Sequence, residues 1–206
     1  MKIPLLRSGD GRPLLTALCL AVPLLVGSGA KADEKWAGTC SIKFMGDSTL
    51  HDFVGTVNAD PFTLTVHDPE TPEKTTLDAK IDVSVAKMDT EEEKRDENLR
   101  ASLDAAKHPV ISVELDGVKI ADTRPQWQGG LPKSSVVPFD LTILGKTGKH
   151  SGKVTSWSEK SGTVTMVVAF PVSLKAYGIE VPSVLGVIRV KDTIEVEATL
   201  TLKPAA

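Results

Sequence analysis

From Trp36 onward, apolar and polar residues alternate with a period of two, which is the mark of strands with one dry and one wet face. Cys40, Ile42 and Phe44 alternate with Ser41 and Lys43. Ser48 to Val57 forms a second piece, in which Gly55 is expected to make a bulge or bend. After the Asp60-Pro61 turn come Phe62, Leu64 and Val66, and then Leu77, Ala79, Ile81, Val83 and Val85. Val110 to Leu115 is followed by a tight turn at Asp116-Gly117, after which Val118 and Ile120 resume. Val137 to Ile143, a weak polar strand from His150 to Ser158, the ladder Val164 to Leu174 and a final strand from Ile194 to Leu202 complete the series. Turn residues, many of them Gly or Pro, separate most of these runs, and Tyr177 to Val187 reads as irregular.

The period changes once. Met88 to Leu115 (MDTEEEKRDENLRASLDAAKHPVISVEL) begins with a helical pattern. Thr90 is expected to act as N-cap, with Glu93 three residues on completing a capping box. Glu91, Glu92 and Glu93 suit the positive end of the helix dipole, and Asp96 can pair with Arg100 one turn later. Leu99, Leu103 and Ala106 make one narrow apolar stripe, and Pro109 returns the chain to extended geometry. So thin a stripe predicts a lid or plug over a barrel end rather than a core layer.

Eight to ten regular strands with one short helix predict an all-β fold, either a sandwich or an up-and-down barrel. Closure into an antiparallel barrel of about eight strands leaves no long edge exposed, which favours the barrel. Its inward positions are mostly aliphatic, with aromatics only 4% of the chain. Such an interior is either a filled core or a dry tunnel for one apolar ligand.

The first 32 residues stand apart. Lys2, Arg7 and Arg12 precede an apolar run from Leu14 to Val26, and Ala30-Lys31-Ala32 has the form of a cleavage site. Residues 1–32 are therefore expected to be a signal peptide and 33–206 a single domain, periplasmic or secreted, with no stable membrane span after cleavage. Losing Lys2, Arg7, Arg12, Lys31 and Asp10 from 24 basic and 27 acidic residues leaves 20 and 26, a net charge of −6. That balance argues against nucleic acid as a partner. Of the two cysteines, Cys19 leaves with the signal, so Cys40 has no intramolecular partner and reads as a buried apolar residue.

Candidate chemistry is sparse. His51, His67, His108 and His150 show no metal-ligand spacing, and neither a phosphate loop nor a dinucleotide fingerprint is present. Ser48, His51 and Asp52 invite a hydrolase reading but lack any G-x-S-x-G elbow. The expectation is a protein that is not an enzyme and uses no cofactor. The most distinctive polar cluster is Arg95-Asp96, which serves either as a solvated helix face or as a group at a barrel mouth.

Several stretches together resemble the YceI-like family of periplasmic, lipocalin-like lipid-binding proteins. Asp89-Thr90, Arg95-Asp96, Leu99 and His108-Pro109 match that family's helix block. Phe139 to Thr147 (FDLTILGKT) resembles its G-x-L-T-I-x-G-x-T hairpin, and Tyr177-Gly178-Ile179 its F-G-I segment. The likeness spans roughly residues 36–203. The chain departs from the family pattern at Asn98, where His is frequent, and at Ala105-Ala106, where aromatics are common.

The resemblance implies a lipocalin-like barrel holding a polyisoprenoid or other long-chain lipid, for carriage or storage rather than catalysis. A ligand-free interaction barrel acting through its loops is the alternative, and a homodimer is compatible with either. The expected apolar lining is Phe62, Leu64, Ile81, Val83, Val85, Phe139, Leu141, Met166, Val168, Phe170 and Val196. The helix cap at the mouth is expected to comprise Arg95, Asp96, Leu99 and Leu103.

Overall fold

The structure, a computed structural model, describes residues 33–48, 52–71, 73–119, 127–128, 131–132, 135–180, 183–184 and 188–205. The expected signal segment and His51 lie outside the described residues. Twelve strands are present among them. They are β1 (Glu34–Ser48), β2 (Phe53–Asn58), β3 (Phe62–His67), β4 (Thr76–Ser84), β5 (Val110–Lys119), β6 (Trp127–Gln128), β7 (Leu131–Pro132), β8 (Val136–Ile143), β9 (Lys146–Lys160), β10 (Thr163–Ser173), β11 (Ser183–Val184) and β12 (Ile188–Pro204). Among the described residues one α-helix is present, α1 (Glu93–Ser102), between β4 and β5.

Eight of these strands close an antiparallel barrel in the order β1-β3-β4-β5-β8-β9-β10-β12, and β12 pairs back onto β1 from Trp36–Pro204 to Gly46–Ile194. The alternation explains which side chains turn inward. Val164, Met166, Val168, Phe170 and Val172 on β10 are buried while Thr163, Thr165 and Ala169 are only half-buried. Cys40 is one of the inward residues, and burial pushes its thiol pKa up to about 12. It is thus an apolar core residue rather than a nucleophile.

Strands β2 and β3 are one strand broken at Ala59–Pro61. Both pair with β1, β2 against its C-terminal half and β3 against its N-terminal half. At the break the Asp60 N–H donates to the Asp82 carbonyl on β4 at 2.9 Å. β3 then pairs with β4, while β2 does not. The edge of β2 is met instead by Asp89, which exchanges two backbone hydrogen bonds with Thr56, of 2.8 and 3.0 Å. The segment between β4 and β5 therefore fills a gap that the broken strand leaves.

Several local expectations change. Asp116-Gly117 is not a hairpin turn. β5 runs on through it, and the register against β4 slips between Ala79–Leu115 and Leu77–Val118. Gly117, at φ +60°, makes the bulge, and its N–H donates to Asp78 at 2.7 Å. Gly55, conversely, sits in unbroken register. β9 starts at Lys146 rather than His150, because a two-residue turn, Leu144-Gly145, with φ of +50° and +71°, joins it to β8. That geometry is the hairpin turn whose twist matches the strands.

The glycines of β1 and β2 serve the aromatic rings. Phe62 lies over Gly38, Phe44 over Gly55 and Phe53 over Gly46, each ring occupying the space a Cβ would need. Three of the five Phe rings are thereby held flat against the neighbouring strand. Gly55→Ala is expected to cost about 2 kcal/mol, the usual scale for overpacking. Thermal unfolding measures it, and an unchanged Tm would mean that the Phe44 ring moves without penalty.

At one edge of the β3–β4 pairing, His67 lies between two carboxylates. Its Nε2 is 2.7 Å from Asp78 and its Nδ1 3.0 Å from Asp33. The hydrogen bonds to Asp78 and then Asp33 raise its pKa above the ordinary value. Since the folded value exceeds the unfolded one, this contribution to stability is full below about pH 6.5. It disappears as pH rises through the raised value. In an NMR titration His67 is expected to titrate above His150, whose pKa burial lowers. Asp78→Asn should bring His67 down; a His67 that titrates below His150 in the native chain contradicts the clasp.

Candidate functional site

The excursion from β4 to β5 is closed at its base, where the Val85 N–H donates to the Pro109 carbonyl at 2.9 Å. Val85 is fully buried there, 0% exposed. Beyond it, Met88 leads to a tight bend in which Glu91 takes the left-handed conformation at φ +61°. This bend moves the helix start. Glu92, not Thr90, is the N-cap, its carboxylate accepting from the backbone N–H groups of Lys94 and Arg95 at 3.1 and 2.8 Å. Thr90 is 4% exposed. Its N–H and hydroxyl both donate to Asp96 Oδ1, at 2.9 and 2.6 Å. Asp96 Oδ1 is thus taken up by Thr90, and Arg100 acts on the carboxylate through its charge. The Thr90 hydroxyl holds the Asp96 carboxyl below the usual carboxylate range.

Helix α1 presents one face to the barrel interior and covers a cavity of about 460 Å³. Leu99 and Leu103 form the helix side of the lining. The barrel supplies Ile42 and Phe44 from β1, Val83 from β4, Ile111 and Val113 from β5, Leu141 and Ile143 from β8, and Phe170 and Val172 from β10. Ile194 and Val196 of β12 complete that wall, with Leu174 and Ile179 from the connection between β10 and β11. Ile42, Ile111, Val113 and Val196 point inward yet are only half-buried. Each packs against the core on one side and lines the cavity on the other.

The polar groups gather at the mouth. Asp52, Thr90, Glu92, Arg95, Asn98 and Ser102 join Phe53 there. The Arg95 guanidinium carbon lies 5.7 Å from the centre of the Phe53 ring, a cation–π distance. Its Nε is 3.8 Å from the Glu92 carboxylate. A mostly apolar pocket with a few polar groups at its rim suits an apolar chain with a polar end.

Against the sequence expectations, the cavity takes in Val83, Leu141, Phe170 and Val196, with Arg95, Leu99 and Leu103 at the cap. Leu64, Ile81, Val85, Phe139, Met166 and Val168 are instead buried in the packed core, and Phe62 is half-buried against it. Asp96, expected with Arg95, Leu99 and Leu103 at the helix cap, accepts from Thr90 there. Ile42, Phe44, Ile111, Val113, Ile143, Val172 and Ile194 line the cavity without having been singled out. Their alternation marked them as inward, which is the only signal the sequence carries for them.

One wall is polar inside. β9 pairs with β10 only as far as Lys153–Ala169, so the first residues of β9 and the last of β10 diverge. Tyr177, from the 3₁₀ turn Lys175–Tyr177, fills that seam. His150 Nε2 is 2.6 Å from Tyr177 Oη, and Tyr177 Oη donates to the Leu141 carbonyl at 3.2 Å. Both contacts are satisfied when His150 donates from Nε2. Phe139 stacks on His150 at 5.7 Å, and Phe170 meets Phe139 edge-on at 4.9 Å.

Among the described residues no group of His, Cys, Asp and Glu is arranged to hold a metal ion, and no helix is long and apolar enough to cross a membrane.

No curated protein sequence matches the chain. Among the solved structures that share its fold are the following two. BcnA of Burkholderia cenocepacia is 17% identical, with a TM-score of 0.58 over 79% of this chain and 95% of that one. A polyisoprenoid-binding domain from Saccharophagus degradans is 12% identical, with a TM-score of 0.55 over 82% of this chain and 98% of that one. The model of the YceI-like domain matches residues 37–202, and the chain belongs to the YceI-like domain family.

Proposed function

We propose that the protein binds the apolar chain of an amphiphilic lipid, isoprenoid or otherwise, inside the barrel, and carries or stores it in the periplasm. The observation that carries this reading is the cavity of about 460 Å³ inside the barrel, lined mostly by inward aliphatic and aromatic side chains. Apolar burial contributes about 25 cal/mol per Å² to affinity. The rim supplies Arg95, Asn98 and Ser102 as donors and Asp52 and Glu92 as acceptors for a head group. The Saccharophagus domain of the same fold is described as polyisoprenoid-binding, which agrees with this chemistry. The N-terminal segment 1–32 supports export. No catalytic constellation is needed for such a role.

Native mass spectrometry of the protein, gently extracted from its host's periplasmic fraction, tests the reading. A bound mass of one apolar chain is the expected result. A protein found only unliganded, or only in the cytoplasmic fraction, counts against it.

A further inference from the structure

We propose that the cavity is a length gauge, admitting about fifteen carbons of one chain and holding the rest of any longer chain outside the barrel. This rests on the lipid-binding reading above and names the class of ligand for that site.

The argument starts from space. At about 30 Å³ for each water-sized group, a cavity of about 460 Å³ holds roughly fifteen methylene-sized groups. The lining agrees with that limit. β1, β5, β8 and β12 each contribute only two inward positions to it, so the cavity spans about two rungs of the barrel wall. Two rungs, each about 7 Å along a strand, fall well short of the barrel's length.

The floor is built rather than incidental. Phe170 is the deepest lining residue on β10, and its ring is braced edge-on by Phe139 at 4.9 Å. Phe139 stacks on His150, and His150 is hydrogen-bonded to Tyr177 in the seam of the wall. Gly152 lets Val168 approach β9 closely beside the Phe139 and Phe170 rings, where any Cβ would collide with it. Below the floor, Cys40, Ile81, Met166 and Leu200 are buried in a continuous core. A chain can therefore go deeper only by displacing a ring whose supports are tied into the wall. Helix α1 closes the other side, and its polar residues stand where a head group or an emerging chain would pass.

The ligand class is thus a single-chain amphiphile whose buried part is about fifteen carbons, whether methyl-branched or straight. The test is displacement of an environment-sensitive apolar dye from the exported chain by two series of alcohols. One series is prenyl and the other straight-chain, each running from roughly ten to roughly forty carbons to bracket the volume limit. Affinity is expected to rise about fourfold per added buried methylene and to level off near fifteen carbons. Phe170→Ala should move the plateau several carbons longer, and Phe170→Leu should move it less while preserving the fold. An affinity that keeps rising to the longest chains overturns the gauge, as does a plateau that neither folded variant moves. If no alcohol of either series displaces the dye, the lipid-binding reading itself falls. The series with the steeper rise identifies branched or straight chains as the preferred source.

Discussion

Replacing Val196 with Trp is expected to weaken binding of any apolar chain on the order of 100-fold while leaving the barrel folded. Val196 points into the cavity from β12, opposite Phe44 on β1 and Phe170 on β10. It is half-buried and lines the cavity. An indole there occupies room that several methylenes would take, at about 0.8 kcal/mol each. The same substitution in a filled core would force rings off their rotamers. Here the empty volume absorbs it, so Tm is expected to change little. The control is Val168→Trp, one rung deeper, where Val168 is 5% exposed and has no such space. That variant should destabilise the fold rather than block a site. Undiminished binding in a folded Val196→Trp protein would place the ligand somewhere other than the lumen.

Asp96→Ala is expected to have the largest effect on stability of any exposed-face change in α1, about 3 kcal/mol. The cost comes from Thr90, not from the carboxylate. Removing Asp96 leaves a nearly buried hydroxyl and a backbone N–H without their acceptor. At this chain length such a loss lowers Tm by roughly 6–12 °C. Thr90→Val in the Asp96→Ala background removes one of the stranded donors and should recover part of the loss, which a double-mutant cycle measures. The interaction also has a pH signature. The Asp96 pKa is lowered in the folded state, so its contribution is present above the ordinary value near 3.9. It is lost as pH falls through the lowered value. Additive single-mutant effects with no coupling would show that Thr90 finds another partner and that this bond does not anchor the helix.

Much of the fold was legible because two periodicities do not overlap. The ladder Leu77 to Val85 alternates and becomes β4 with its 3₁₀ continuation, while Met88 to Ser102 does not alternate and carries the helix. What the pattern lacked was depth. Alternation says that Ile81 and Val83 face inward, but not that the first is packed and the second borders a cavity. That distinction depends on which end of the barrel the β4–β5 excursion enters, set by pairing far along the chain. The first residues of β9, before His150, carry no strand signal because Lys146 and Gly148 offer no aliphatic inward position. Backbone pairing with β8 and the seam residue Tyr177 hold them instead. The N-cap was misplaced for a smaller reason. Thr90 and Glu93 have the spacing of a capping box, but the left-handed turn at Glu91 starts the helix later and frees Thr90 for Asp96.

The seam between β1 and β12 has a consequence for how the molecule forms. These are among the longest strands, 15 and 17 residues, and they join the beginning of the domain to its end. The Ala205 N–H even donates to the Lys35 carbonyl at 2.8 Å. Loop closure over almost the whole domain precedes the reward of that pairing, which makes folding slow. Until β12 has been made and docked, one edge of β1 stands unpaired, a template for another chain. A chain that halts after β10 therefore retains most of its hairpins and none of its closure, and its expected fate is association rather than a smaller barrel.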